Sequence, residues 1–205
     1  MSDMKGIDSI AKRALELKQS GMSDKEIARE LHLSENTISW LLNKWAKSAK
    51  PTAETPLDVK IGWTSIGVCG HRIELLAAIL ADILAEESDK EDYEVETVVG
   101  LAINGIPLAV HISGELGLEF AVYRPPKDMK GPGALSSNYA GVKGKKVVVV
   151  DDVIGTGETM THTIKDLKSQ GAKPKLILTI VNKTDMKKID GVPVRSLVRA
   201  RSLAK

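Results

Sequence analysis

The stretch KVVVVDDVIGTGETM, residues 146–160, constrains the fold more than any other part of the sequence. Four consecutive valines make a strand buried on both faces, and such a strand belongs inside a parallel sheet covered on two sides. It delivers two adjacent acids, Asp151 and Asp152, to the lip of a Gly/Thr-rich turn, and a helical pattern follows over 158–170. The flanking sequence alternates in the same way. Residues 72–86 carry helical apolar spacing, VETVVGLAI reads as a strand ending at Asn104-Gly105, and 107–116 reads as a helix. LEFAVYR is a further strand, 125–144 a long loop, and KLILTIVN the last strand of the series. This alternation predicts an α/β domain with a doubly wound, mainly parallel sheet and a ligand at the carboxyl ends of its strands.

The turn has the chemistry of an anion site. Backbone N–H groups of Ile154, Gly155, Thr156, Gly157, Glu158 and Thr159 can curl inward, and the next helix adds its positive end. Gly155 and Gly157 permit a tight backbone, while Thr156 and Thr159 offer hydroxyl donors. Acids beside a phosphate site are repulsive unless they bind something else. Asp151 and Asp152 lie one turn before it, at a distance that suits the hydroxyls of a sugar whose phosphate occupies the turn. Carboxylates accept hydrogen bonds from a diol and can also help hold Mg²⁺. No G-x-x-x-x-G-K-[ST] occurs, so a P-loop is excluded. The third glycine of a dinucleotide fingerprint is missing, and too little chain follows Asp151 for a phospho-receiver. A plain solvated strand end is a poor account of two acids and Gly-Thr-Gly after four valines.

The first 46 residues read differently, as helices throughout from residue 5. Ser23 and Glu26 form a capping box that starts a helix near Asp24, with Ile27, Ala28 and Leu31 as its buried stripe. A break at His32-Leu33 leads to Ser34 as the next N-cap, and Ile38, Leu41, Leu42 and Trp45 mark a second amphipathic helix. Two short helices joined by a tight turn make a helix-turn-helix, whose second helix enters the major groove. The DNA-facing candidates are Ser34, Asn36, Thr37, Ser39, Trp40, Asn43 and Lys44, mixing groups that read base edges with a phosphate contact. A three-helix interaction module with a solvated polar face is the alternative. This segment also resembles the helix-turn-helix of bacterial and archaeal transcription regulators. A unit so small binds DNA weakly alone, so a homodimer is expected.

The proline-containing stretch KSAKPTAETP separates the two patterns. The expected organisation is a helix-turn-helix domain at 1–47, a linker at 48–56 and a ligand-binding domain at 57–205. With a net charge of +2, nucleic-acid affinity must come from a local surface rather than from the whole molecule. One cysteine, Cys69, excludes an intrachain disulfide and a cysteine-based zinc site. His71 and His111 have no partner at ligand spacing, so no protein metal site is expected. No secretory signal begins the chain, and the longest apolar stretch, 73–84, is too short to cross a bilayer. A cytoplasmic protein without a membrane partner is expected. The basic tail VRSLVRARSLAK reads as a strand edge and solvated end that could add contacts to DNA phosphates.

VVVVDDVIGTGETM resembles the phosphoribosyl-pyrophosphate motif of type I phosphoribosyltransferases. The likeness extends to VVGLAINGIPLAV at 98–110, similar to that family's pyrophosphate loop, and to the long loop after Arg124, which corresponds to its mobile flap. The resemblance implies the type I phosphoribosyltransferase fold, with Asp151 and Asp152 on the ribose hydroxyls. Gly155, Thr156, Gly157, Glu158 and Thr159 would bind the 5′-phosphate. Ile103, Asn104 and Gly105 would approach the pyrophosphate, Arg124 would contact the ligand from the flap, and Mg²⁺ would accompany phosphoribosyl pyrophosphate.

Within that family the likeness is nearest to orotate phosphoribosyltransferase, with departures. Its R-K-x-x-K-x-H-G flap reads RPPKDMKG here, so Pro125 replaces a basic residue and no histidine is present. Lys127 and Lys130 are the remaining candidates for leaving-group chemistry, and no catalytic residue is assigned. The Asp-Arg pair that grips the base is Asn182-Lys183, and a threonine of the phosphate turn is Gly155. Lysine lacks the bidentate geometry of arginine. A helix-turn-helix joined to such a domain resembles the archaeal orotate phosphoribosyltransferase-like transcriptional regulators, the glucose/fructose catabolism regulator family. That resemblance implies a DNA-binding regulator of central sugar catabolic genes that senses a phosphoribosyl ligand. The alternative is an active orotate-type phosphoribosyltransferase, transferring ribose 5-phosphate to a nucleobase, whose N-terminal helices serve assembly or autoregulation.

Overall fold

The valines at 147–150 alternate between two separate cores. Val147 and Val149 join Ile164, Leu167 and Tyr123 on one face of the sheet, while Val148 and Val150 join Leu80, Leu84, Leu108 and Ile112 on the other. Period-two side chains on a fully covered strand produce this division, and it accounts for a run with no polar residue. The computed structural model describes residues 3–31, 33–35, 37–39, 41–42, 61–126 and 131–200, and the chain divides into two units at Pro56/Leu57.

The first unit holds α1 (Asp3–Gln19) and α2 (Asp24–Glu30), and residues 37–39, 41 and 42 are also helical. Ala11, Ala14, Ile27, Ala28, Ile38 and Leu41 form its core. The capping box is present in both directions: the Ser23 N–H donates to Glu26 Oε2 at 2.8 Å, and the Glu26 N–H donates to Ser23 Oγ at 3.3 Å. Ser34 caps the next helix by accepting the Thr37 N–H at 3.1 Å. Asp24 ties the helices together, accepting from Lys18 at 2.6 Å and from Ser39 at 3.2 Å. The Lys18 hydrogen bond holds the Asp24 carboxyl below its ordinary range. Asn36, Trp40, Asn43, Lys44 and the linker 48–56 lie outside the described residues.

The second unit contains α3 (Thr64–Gly67), α4 (Gly70–Lys90), β1 (Thr97–Leu101), α5 (Gly105–Leu116), β2 (Glu119–Arg124) and β3 (Ala134–Leu135). β4 (Lys146–Ile154), α6 (Glu158–Ser169), β5 (Lys173–Asn182), β6 (Lys188–Ile189) and β7 (Val192–Arg199) follow. The strand order is β3-β2-β1-β4-β5-β7-β6. β2, β1, β4, β5 and β7 are parallel, and short antiparallel strands close both edges. Residues of α4 and α5 belong to one core and residues of α6 to the other, which makes the sheet doubly wound. From β1 the chain runs outward to β2 and β3, then crosses back to β4 on the other side of β1. This switch point opens a crevice between the carboxyl ends of β1 and β4.

Two elements differ from the sequence expectation. β1 ends at Leu101 rather than near Asn104, because the helix begins at Gly105 and takes Pro107 into its first turn, where proline is tolerated. The basic segment after residue 191 supplies β7, with Val192 and Val194 buried. Its Arg195 donates to the buried Glu87 at 2.7 Å and so ties β7 to α4, while Arg201 and Lys205 lie outside the described residues.

Candidate ligand site at the carboxyl edge of the sheet

β4 ends in the crevice and carries Asp151 and Asp152 into it. Gly105, the first residue of α5, packs against the same strand end. A Cβ there would stand 3.0 Å from the Val150 carbonyl carbon and 3.1 Å from the Asp151 Cα, with the Val150 oxygen closer still. Only glycine lets the β1–α5 loop approach the acids this closely. The loop then reaches across. Asn104 occupies the N-cap position of α5 but makes no side-chain cap, and its Nδ2 instead donates to Asp152 Oδ2 at 3.0 Å. Asparagine at an N-cap ordinarily stabilises its own helix. Here that contribution is diverted to a carboxylate.

Asp152 is buried and its Oδ2 has a second donor, the Trp63 indole Nε1 at 2.8 Å. Thr179 of β5 donates to the Asp152 carbonyl at 2.8 Å. Asp151 is fastened differently: its Oδ1 accepts the Asp152 N–H at 2.9 Å. Burial pushes the Asp151 carboxyl up to about 7; the hydrogen bond from Asp152 opposes the rise and the adjacent acid adds to it. The two carboxylates are therefore unequal. Asp152 is fixed by donors, whereas Asp151 can bind or release a proton near neutrality.

Beyond β4 the turn forms a cavity of about 280 Å³ lined by Asp151, Val153, Ile154, Gly155, Thr156, Gly157, Thr159 and Met160. Gly157 has φ +86° and is the N-cap of α6, again without a side-chain cap. The first N–H groups of a helix lacking such a cap are donors for an anion. Gly155 has ordinary backbone geometry and open space where a side chain would stand, so its role is to leave room rather than to permit a turn. Met186, in the turn after β5, overlies Gly157 and closes that side.

Asp151, Gly155, Thr156, Gly157 and Thr159 thus share one cavity, and Asn104 and Gly105 are joined to it through the acids. Glu158 opens α6 beside it, and Ile103, at 80% exposure, stands at the tip of the β1–α5 loop. Arg124 lies at the end of β2, paired in register with Ala134 of β3 at the root of the long loop. Lys127 and Lys130 lie outside the described residues. Asn182 is buried and organises the turn that carries Met186, accepting from the Thr184 N–H and Oγ1 at 2.8 Å each. Trp63, Met160 and Met186 escaped the sequence reading. Met160 ends the VVVVDDVIGTGETM motif and is signalled by it, but nothing local marks Trp63 as a partner of Asp152.

The crevice at the strand switch, the acid pair and the anion turn define the class: a phosphoribosyl transferase domain. The phosphoribosyl transferase domain family matches residues 71–203 of the chain. Among solved structures, orotate phosphoribosyltransferase from Aeropyrum pernix superposes with a TM-score of 0.54 at 22% identity, covering 77% of this chain and 93% of that one. The likeness to whole proteins is stronger. The transcriptional regulator GfcR of Thermoplasma acidophilum is 50% identical over 198 residues, covering 97% of this chain and 98% of its own. That of Picrophilus torridus is 48% identical over 199 residues, covering 96% and 98%. The chain belongs to the GfcR family of transcriptional regulators.

Proposed function

We propose that the chain is a ligand-responsive, DNA-binding regulator of central sugar catabolic genes, working in the cytoplasm as a homodimer. The observation that carries this reading is the extent of the likeness: the regulators it matches cover the N-terminal helices as well as the phosphoribosyl transferase domain. No helix among the described residues is long and apolar enough to cross a membrane. Leu75 and Ile79, one turn apart on α4 and about half exposed, support a second copy as partner. A dimer would set two recognition helices about 34 Å apart, the spacing of successive major grooves. Thr37, Ser39 and Ser34 would stand near the groove with Asn36, Trp40, Asn43 and Lys44.

The ligand would be a phosphoribosyl compound. Its 5′-phosphate would lie at Gly155–Thr159 against the start of α6, and its diol on Asp151 and Asp152. Asn104 and Gly105 would face a pyrophosphate if one is present, with Ile103 and Arg124 at the rim. Among the described residues no group of three or more His, Cys, Asp or Glu side chains is placed to hold a metal ion. A two-carboxylate site fits Mg²⁺ only as a companion of the ligand, with phosphate oxygens supplying the other donors. When bound, the ion would neutralise phosphate charge beside the acids.

Binding of the full-length protein to sheared genomic DNA, with and without phosphoribosyl pyrophosphate and Mg²⁺, tests the reading. Discrete promoter fragments should be enriched, and the ligand should alter their retention. Equal retention in both conditions would remove the sensor, since a ligand shifts an equilibrium only by its differential affinity. A complete acid pair and anion turn also support the second reading, a working phosphoribosyltransferase. Pyrophosphate release with orotate, uracil or a purine base, lost in Asp152→Asn, would establish it.

A further inference from the structure

We infer that Trp63 is a positioning residue of the ligand site, and that its indole senses whether a sugar occupies Asp152. The inference rests on the ligand reading above. Trp63 Nε1 donates to Asp152 Oδ2 at 2.8 Å, and Asn104 Nδ2 donates to the same oxygen at 3.0 Å. Two donors on one carboxylate oxygen occupy both of its lone pairs. A sugar hydroxyl arriving at Asp152 must therefore use Oδ1, and the direction of Oδ1 is set by what grips Oδ2. The Asn104 grip comes from the β1–α5 loop and the Trp63 grip from the segment preceding α3.

Trp63 also lies near the start of the second unit. It follows the Pro56/Leu57 division by a few residues, and Ile61 and Trp63 pack against the α4–α5 core. Gly67 holds the ring from beneath: a Cβ there would stand 3.1 Å from Trp63 Cζ3. An indole seated on a core and bonded to the sugar-binding acid ties the entry of the second unit to occupancy. The anion turn is not tied in this way, since Trp63 does not line its cavity. Phosphate alone should leave the indole undisturbed, while a sugar phosphate should move it.

The experiment uses the full-length protein with two probes, inorganic phosphate and ribose 5-phosphate. The chain has three tryptophans, so its ¹H–¹⁵N spectrum holds three indole resonances, and the one missing in Trp63→Phe identifies Trp63. In the wild type that resonance should shift on saturation with ribose 5-phosphate and stay in place with inorganic phosphate. Trp63→Phe should weaken ribose 5-phosphate by about tenfold, the effect of losing one hydrogen bond to a charged group. Its affinity for inorganic phosphate should be unchanged. A merely structural tryptophan would change both affinities together. If both fall by the same factor, or neither changes, or the indole resonance ignores the sugar, the inference is overturned. Should Trp63→Phe fail to fold, Trp40→Phe and Trp45→Phe identify the Trp63 resonance by elimination, and its shift in the wild type decides. A wild type that binds neither probe would instead overturn the ligand reading on which the inference stands.

Discussion

Gly105 and Val150 lie in such close backbone contact that no side chain fits between them, and through that contact the β1–α5 loop is locked to the strand bearing the acids. Gly105→Ala must push the loop away from β4, because the obstructing atoms are backbone and cannot rotate aside. Overpacking of this kind costs about 1–3 kcal/mol. The second unit should melt several degrees lower, and the shift of Asn104 from Asp152 should weaken ribose 5-phosphate as well. Gly114→Ala is the internal control. It lies in the same helix with open space around it, so it should be neutral or stabilising by about 0.5–1 kcal/mol. Thermal melts of both variants beside the wild type check the pair.

The raised Asp151 carboxyl predicts a pH dependence of definite sign. With a folded-state value of about 7 against an ordinary 3.8, the folded chain keeps a proton that the unfolded chain has released. Stability from this group is complete below pH ~4 and declines as pH rises through about 7, by at most about 1.4 kcal/mol per pH unit. Asp151→Asn should flatten that interval in denaturant titrations. Binding has the opposite trend, because a diol donates to the ionised carboxylate. Ribose 5-phosphate should bind more tightly as pH rises toward 8 and release a proton on binding. The phosphate ionises in the same range, so the difference between wild type and Asp151→Asn isolates the Asp151 part. Calorimetry in two buffers of different ionisation heat measures the proton.

The sheet and the turn after β4 are legible because they depend on local patterns. Val147–Val150 needed only their own apolarity to declare a strand covered on both faces, and Gly157 with its neighbours needed only their spacing. Ser23 and Glu26 were legible for the same reason. Trp63 was not, since its partner lies 89 positions away and forms by tertiary contact alone. The start of α5 is not legible because Pro107 looks like a helix boundary, while the helix begins at Gly105, where the chain packs against β4. Spacing alone gives Gly155 a conformational role that belongs to Gly157. The distinction depends on φ, which composition does not reveal.

Asp166 of α6 joins three separated elements and predicts an ordering of two variants. Its Oδ2 accepts from Tyr123 Oη at 2.6 Å, the Gly133 N–H at 3.0 Å and Gln170 Nε2 at 3.1 Å. Tyr123 is fully buried, and burial together with the neighbouring carboxylate pushes its phenol well above the ordinary tyrosine range. Tyr123→Phe removes one donor and leaves Asp166 Oδ2 with two, at a cost of about 1 kcal/mol. Asp166→Ala strands a buried phenol and the Gly133 N–H, so it should cost roughly 2–3 kcal/mol. Gly133 sits at the root of the long loop after β2, and its amide should exchange with solvent faster in Asp166→Ala than in Tyr123→Phe. Equal midpoints in urea, with unchanged slopes, would remove Asp166 as the junction.

The capping box predicts an effect confined to DNA. Ser23 Oγ accepts the Glu26 N–H and Glu26 returns the bond to the Ser23 backbone N–H, so Ser23→Ala removes the acceptor of the Glu26 N–H while the return bond stays. The expected cost is about 1 kcal/mol, and Ser23→Thr should recover most of it. Among the described residues the core of the first unit is small, with Ala11, Ala14, Ile27, Ala28, Ile38 and Leu41 buried, so this loss is a large share of its stability. Ser23→Ala should therefore lower retention of promoter DNA and leave the affinity for ribose 5-phosphate unchanged. The ligand site lies in the second unit, where that unit's cores and the donors Trp63, Asn104 and Thr179 hold it. A fall in sugar-phosphate affinity in Ser23→Ala, restored in Ser23→Thr, would mean that the N-terminal helices help to build the ligand site.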